Sequence, residues 1–320
     1  GKFFVLEDNL RVPSGVAYML ENRNIMKRVI PDLFNSYAVN PIDDYPSQLF
    51  KCLGEASFNT NANKKIVVLT PGVFNSAYFE HSYLAQQMGV ELVEASDLYV
   101  SRSNNVLMKT INGPKKIDVI YRRIDDVFID PKVWRKDSSL GIPGIYNAWK
   151  NKKIAIVNAP GSGVADDKAV YAFVPKMIKF FLKEEPIISQ VKTYVCAFKK
   201  DLNYVTNNIE KLVLKPVNES GGYGILIGPQ SSKSELKKYK SKILNNPRNF
   251  VAQPLIKLST SPTLINKKIM PRHLDLRPFI LSGKNSFVTQ GGLTRVAMKK
   301  GSTIVNSSQG GGSKDTWIAD

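Results

Sequence analysis

The stretch Leu214-Lys215-Pro216-Val217-Asn218-Glu219-Ser220-Gly221-Gly222-Tyr223-Gly224 sets a strand-borne lysine just ahead of a loop with three glycines. Glycine lets backbone N–H groups approach phosphate oxygens closely and takes up positive φ at no steric cost, while the lysine supplies countercharge. The order of residues is neither a Walker A loop, which needs Gly-Lys-Ser/Thr opening a helix, nor a Rossmann turn. It suits a β-hairpin laid over phosphates; an ordinary glycine-rich hairpin has the same composition.

Glu7-Asp8-Asn9 follows the apolar run Phe3-Phe4-Val5-Leu6. In a strand, Glu7 and Asn9 face the same way, so a carboxylate and a carboxamide oxygen can share one hard cation. Arg11 and the turn Pro13-Ser14-Gly15 come next and could present donors to an anion. Ala159-Pro-Gly161-Ser-Gly163-Val-Ala-Asp166-Asp167-Lys168 misses the dinucleotide pattern, and no acidic residue ends a strand about twenty positions later, so NAD is not expected. Lys168 at a helix start is out of place unless an anion lies near.

Arg272-His-Leu-Asp275-Leu-Arg277-Pro and Gly291-Gly-Leu-Thr-Arg295 place further arginines on strands. Their forked donors suit phosphoryl oxygens. An ion pair between Asp275 and Arg277 on one strand face is the structural alternative. Asn306-Ser-Ser-Gln-Gly-Gly-Gly-Ser-Lys314-Asp is too polar for a core and reads as a mobile loop able to wrap an anion, or as a disordered tail.

The elements that must position these residues can be read from periodicity. A strand, the turn at 10–15 and a helical pattern from Val16 open the chain, with a break from Pro41 to Pro46 and an Asn-rich linker over 54–65. Lys65–Gly72, Val90–Glu94, Ile117–Arg123 and Lys153–Asn158 predict strands, with a helix over Tyr78–Met88, which together make an α/β unit with a mostly parallel sheet. From about 166 the pattern is α+β. Val170, Phe173, Val174, Met177, Ile178 and Phe181 form one apolar helical face that Pro175 kinks or divides. Strands follow at 212–216 and 224–228, a helix at 233–244, then strands at 250–256, 274–281 and 287–296.

The chain has 320 residues and a net charge of +18, and its hydrophobic fraction of 43% excludes a disordered or fibrous protein. No apolar run approaches the roughly 18–20 residues of a membrane span. Cys52 and Cys196 lie too far apart for a metal spacing, and His81 and His273 cannot assemble a zinc site; buried thiols in a reducing cytoplasm are expected. His273 reads as structural. The 34 Lys and 11 Arg are scattered among 25 Asn without aromatic interleaving, so nucleic acid is not the expected partner. The chain opens at Gly1 without an initiator Met, as though a strand were entered partway, and reads as a piece of a longer protein.

Taken together, Val5 to Gly15, Tyr121-Arg-Arg-Ile-Asp-Asp126, Gly163 to Lys168, Gly221-Gly-Tyr-Gly224, Arg272 to Pro278 and Asn306 to Trp317 resemble the circularly permuted ATP-grasp family of type 2, proteins similar to glutathionylspermidine synthetase. The resemblance implies a permuted metal-binding part over 1–55, a pre-ATP-grasp-like α/β domain over 56–165 and nucleotide-binding lobes over 166–320. It implies ATP and Mg2+. Glu7 and Asn9 match the metal motif, and Lys168 and Lys215 the nucleotide-binding lysines. Glu219 and Ser220, Gly221, Gly222 and Gly224 match the phosphate loop, and Gln253 and Leu255 the strand at the adenine edge. Arg11, Arg277 and Arg295 are the candidate catalytic arginines. The implied activity is a cytoplasmic ligase joining a small-molecule or peptide carboxylate to an amine through an acylphosphate. The family pattern also has an acidic metal ligand on a strand just before Gly1 and a region ahead of it. A nucleotide-binding module without turnover and a basic polyanion binder are the competing readings.

Overall fold

The computed structural model describes residues 2–219, 223–302, 305 and 311–319. Two compact units emerge, each discontinuous along the chain. Residues 1–10, 162–273 and 297–311 form the first, and residues 11–161, 274–296 and 312–320 the second.

The second unit is built on a four-stranded parallel sheet in the order Glu91–Val93, Ile66–Leu69, Val119–Arg122, Ala155–Val157. Ile66–Leu69 is buried throughout, which is why it reads as an unbroken apolar run rather than an alternating one. Its two faces nevertheless separate with period two. Ile66 and Val68 join Met19, Leu20, Leu53, Leu84 and Phe279 in one core, and Val67 and Leu69 join Val106, Ile117, Ile129 and Ile142 in another.

Helices Val16–Val29, Tyr45–Glu55 and Tyr78–Met88 supply the first of these cores. Pro46 lies in the first turn of Tyr45–Glu55, where its missing N–H has no intrahelical partner to lose. The expected break at 41–46 is therefore partly a helix start. Leu274–Arg277 pairs antiparallel with Leu293–Val296, and Gly291–Val296 pairs in turn with Gly312–Trp317.

The first unit carries a four-stranded antiparallel sheet in the order Tyr194–Val195, Phe250–Pro254, Leu212–Pro216, Leu226–Ile227. Helices Lys199–Asn207 and Lys233–Asn245 close its core through Val205, Tyr239 and Ile243 against Leu212, Leu214 and Ala252. Ser232 and Glu235 cap the second helix reciprocally. Phe4–Val5 lies parallel to Ser189–Gln190.

Several expectations change. The apolar face over 170–181 is cut into helices Lys168–Tyr171 and Val174–Met177 and a wide turn at Ile178–Leu182. Pro175 opens the second helix, and Phe180 and Phe181 are 66% and 73% exposed, so this face is not core. The strand expected over 274–281 is instead Lys268–Arg277 followed by Ile280–Ser282, since Pro278 has no N–H to continue a ladder. The one expected over 287–296 divides into Ser286–Val288 and Gly291–Val296. The polar C-terminal stretch is strand from Gly312, while its residues 306–310 lie outside the described residues. Ser313 to Thr316 can sit there because Asp315 finds a buried partner: Arg23 Nε donates to Asp315 Oδ2 at 2.7 Å, both side chains 1% exposed.

Candidate nucleotide-binding site

In the first unit, Lys215 leaves the strand Leu212–Pro216 half-buried, and its Nζ donates to Gln253 Oε1 on the neighbouring strand at 2.7 Å. Gln253, 5% exposed, is held in turn by Thr193, whose Oγ1 accepts from Gln253 Nε2 at 2.8 Å. Its carboxamide is thereby committed to Lys215 and Thr193. Leu255 lies half-buried just past the end of that strand.

Lys168 opens the short helix Lys168–Tyr171, which Asp167 caps by accepting from Ala169 N at 2.7 Å. The other Asp167 oxygen takes Arg248 Nη2 at 2.8 Å. Lys168 Nζ donates to the Glu219 carbonyl, and its backbone N–H to the Val217 carbonyl at 3.2 Å. The lysine is thus tied to both the strand end and the entrance of the glycine loop. Of that loop, Ser220, Gly221 and Gly222 lie outside the described residues. Gly224 sits at φ +68°, where a Cβ would meet Pro216 Cγ at 2.8 Å, so glycine is required there by both conformation and space.

Each lysine donates to a neutral oxygen rather than to a carboxylate. Burial pushes both ammonium pKa values down, and Lys168 lowers that of Lys215 further. The Glu7 carboxylate opposes both shifts. Two desolvated cations in one another's field would be relieved by a nearby anion.

The carboxylates beside them have the opposite need. Glu7 and Asn9 are exposed and Asp8 is half-buried, as the expected alternation requires, although the paired strand itself ends at Val5. Asp8 Oδ2 is shielded from solvent and has no hydrogen-bond partner among the described residues. Burial raises the Asp8 pKa, and the charges of Glu7 and Asp166 raise it further. This crowding favours a cation. Among the described residues no three His, Cys, Asp or Glu converge as a metal group. The donor set therefore suits an ion shared with ligand phosphate oxygens, as Mg2+ is usually held, better than an all-protein cage.

In the second unit the arginine motif is largely structural. Arg122 donates to the Asn158 carbonyl at 2.6 Å, the Ile124 carbonyl at 2.7 Å and Asp126 at 2.8 Å. Arg123 and Glu80, 0% and 1% exposed in their side chains, pair at 2.9 Å. Arg123 also holds the Pro13 carbonyl and Ser14 Oγ, each at 2.8 Å. Glu80 Oε2 accepts from Gly15 N at 2.6 Å and Ala17 N at 3.2 Å, capping the helix Val16–Val29 from a distance. The turn at 13–15 thus directs its Gly15 donor to the chain's own Glu80 carboxylate.

Nearby His81 is held neutral, its pKa pushed down to about 3 by burial and by Arg123. Arg11 pairs with Asp125 at 3.3 Å, and Arg277 Nη1 donates to the Ser14 carbonyl at 2.7 Å. Asp275 pairs bidentately with Arg295, at 2.8 and 2.6 Å, rather than with Arg277. The reason is register: Asp275 and Arg295 stand directly opposite across the antiparallel ladder.

Burial also acts on the Cys196 thiol, which is pushed up to about 12 and packs as core. His273 Nδ1 lies 3.0 Å from the Leu258 carbonyl. The sequence reading missed Asp167, Thr193, Tyr171 and the Glu80–Arg123 pair. Only Asp167 carried a local signal, as an Asp immediately before a helix.

The family model for circularly permuted ATP-grasp type 2 matches residues 1–297. An uncharacterized protein of Synechocystis sp. is 54% identical over 99% of this chain and 66% of its own length. One from Mycobacterium tuberculosis is 52% identical over 99% of this chain and 58% of its own length. The chain thus spans two-thirds or less of these relatives. A protein of Frankia casuarinae provisionally named a glutamate–cysteine ligase is 42% identical over 99% of this chain and 37% of its own length. Among solved structures, a glutathione synthetase-like effector from Globodera pallida aligns over 97% of this chain and 69% of its own, with a TM-score of 0.54 at 12% identity. That likeness speaks for the fold.

Proposed function

Because the chain belongs to the circularly permuted ATP-grasp type 2 family, we propose that the protein is an ATP- and Mg2+-dependent ligase joining a carboxylate to an amine. The observation that carries this reading is the pair of desolvated lysines, Lys168 and Lys215, set beside the Glu7-Asp8-Asn9 carboxylate segment. The lysines offset charge on the phosphates of ATP, and Glu7 and Asn9 would hold Mg2+. When bound, the ion would supply charge neutralisation for the transferred phosphoryl group. Gly224 lets the hairpin backbone close over the phosphates, with Glu219 presenting its carbonyl to Lys168.

In the proposed reaction the substrate carboxylate takes the terminal phosphoryl of ATP, releasing ADP. The amine then attacks the acyl carbon and expels phosphate. Ligase naming of the Frankia relative supports the reaction class. Arg11, Arg277 and Arg295 are proposed to serve the anionic substrate groups, with Arg295 oriented by Asp275. The substrates are proposed as small-molecule or peptide acids and amines.

ATP titration by calorimetry with and without Mg2+, followed by phosphate release with panels of acids and amines, tests the reading. Tight Mg2+-dependent binding and amine-dependent ADP formation are expected. Failure of the protein to bind ATP overturns the proposal. Binding without any ADP formation would favour a nucleotide-binding module.

A further inference from the structure

A directed chain of hydrogen bonds runs through the first unit from Lys215 to the strand that leads into Glu7. Lys215 Nζ donates to Gln253 Oε1 at 2.7 Å, and Gln253 Nε2 to Thr193 Oγ1 at 2.8 Å. Thr193 Oγ1 donates to the Val191 carbonyl at 3.0 Å. Val191 N–H donates to the Tyr171 hydroxyl at 3.0 Å, and that hydroxyl donates to the Val5 carbonyl at 2.6 Å. Every hydroxyl on the path accepts one bond and donates the next, so the chain has one self-consistent polarity.

Tyr171 is 2% exposed and Val191 4% exposed, so the junction is dry and geometrically stiff. Tyr171 also belongs to the same short helix as Lys168, one turn on. A single hydroxyl therefore touches the strand two residues before Glu7 and links, through its own helix and through Val191, to both lysines.

We propose that Tyr171 is a positioning residue that sets the register of the Glu7–Asn9 segment against Lys168 and Lys215, so that cation and phosphate sites are presented together. This rests on the nucleotide reading above. Phe4–Val5 pairs with Ser189–Gln190 over only two residues of each strand, too little to hold the segment alone. The Tyr171 clamp at Val5 fixes the segment at its start, as Asp166 does just past its end by accepting from Leu10 N at 2.6 Å. Thr193 serves the other arm, holding Gln253 and hence Lys215. The two arms predict different signatures. Loss of the Tyr171 hydroxyl loosens the carboxylate segment, while loss of the Thr193 hydroxyl loosens a lysine.

The test is calorimetric ATP titration in EDTA and across a series of Mg2+ concentrations, on wild type, Tyr171→Phe and Thr193→Val, with thermal melts to check folding. Tyr171→Phe should keep metal-free ATP affinity within about twofold while needing about tenfold more Mg2+ to reach tight binding. Thr193→Val should weaken ATP by a similar factor at every Mg2+ concentration, none included. Equal weakening of metal-free and metal-dependent binding by Tyr171→Phe, or an unchanged Mg2+ midpoint, overturns the assignment. Absence of ATP binding by wild type overturns the nucleotide reading itself. Should Tyr171→Phe fail to fold, amide exchange in wild type decides: Mg2+ with ATP must slow exchange at Val191 beyond ATP in EDTA, and no difference refutes the coupling.

Discussion

Replacing Lys215 by Met keeps the length and apolar stem of the side chain and removes only its ammonium. The proposed site loses one charge-assisted hydrogen bond to phosphate, worth about 1.5–3 kcal/mol, which is roughly a ten- to hundredfold weaker affinity for ATP. Stability responds differently, because two changes oppose each other. The folded protein no longer desolvates an ammonium, whose pKa burial and Lys168 lower, but buried Gln253 Oε1 loses its donor, a cost of about 1–3 kcal/mol. The melting temperature should therefore move by no more than about 5 °C.

pH separates these contributions. A lysine whose folded pKa is depressed binds fewer protons folded than unfolded, so unfolding free energy rises with pH between the lowered value and the ordinary lysine range. Stability contributed this way is present in full above that range and is lost as pH falls through the folded pKa. The stability of wild type minus Lys215→Met should thus grow from neutral to alkaline pH in denaturant titrations. ATP affinity within twofold of wild type, in a folded variant, would refute the phosphate role. A stability difference that shrinks with rising pH would refute the electrostatic argument.

Three further outcomes are expected. Glu80→Ala leaves Arg123 buried without its carboxylate and uncaps the helix Val16–Val29, so it should cost about 3–5 kcal/mol in chemical denaturation; a loss below about 1 kcal/mol would contradict the network. Gly224→Ala forces positive φ on a Cβ that meets Pro216 and should destabilise by about 1–3 kcal/mol, visible as a lower melting temperature and weaker ATP binding. The raised Asp8 pKa means that this carboxyl holds a proton longer in the folded state, so its penalty appears as pH climbs from the ordinary carboxylate range through the raised value. Asp8→Asn should accordingly stabilise the protein at neutral pH and leave stability at low pH unchanged, which denaturant midpoints at both values would check.

Most of the local structure was legible in the residues. The helix at Tyr78–Met88, the buried strand Ile66–Leu69 and the hairpin flanking the glycine loop follow from periodicity and turn chemistry, which act over a few neighbours. Lys215 and Lys168 could be singled out because a cation beside a glycine loop or at a helix start has a local electrostatic meaning. The apolar run at 170–181 misled, since periodicity states which face is apolar and not whether anything covers it.

Tertiary structure decided what each polar group is paired with. Asp275 takes Arg295 rather than Arg277 because strand register brings together residues twenty positions apart. Asp315 lies in a strand because Arg23, nearly three hundred residues away, neutralises it. Tyr171 reads in sequence as one more apolar side chain, and its hydroxyl acquires a role only where folding delivers Val5 and Val191 to either side of it. Sequence determined the elements and the charges they carry, because propensity and patterning are short-range. Pairing is settled by the full three-dimensional arrangement, since a buried charge or hydroxyl must find its partner wherever the chain brings one.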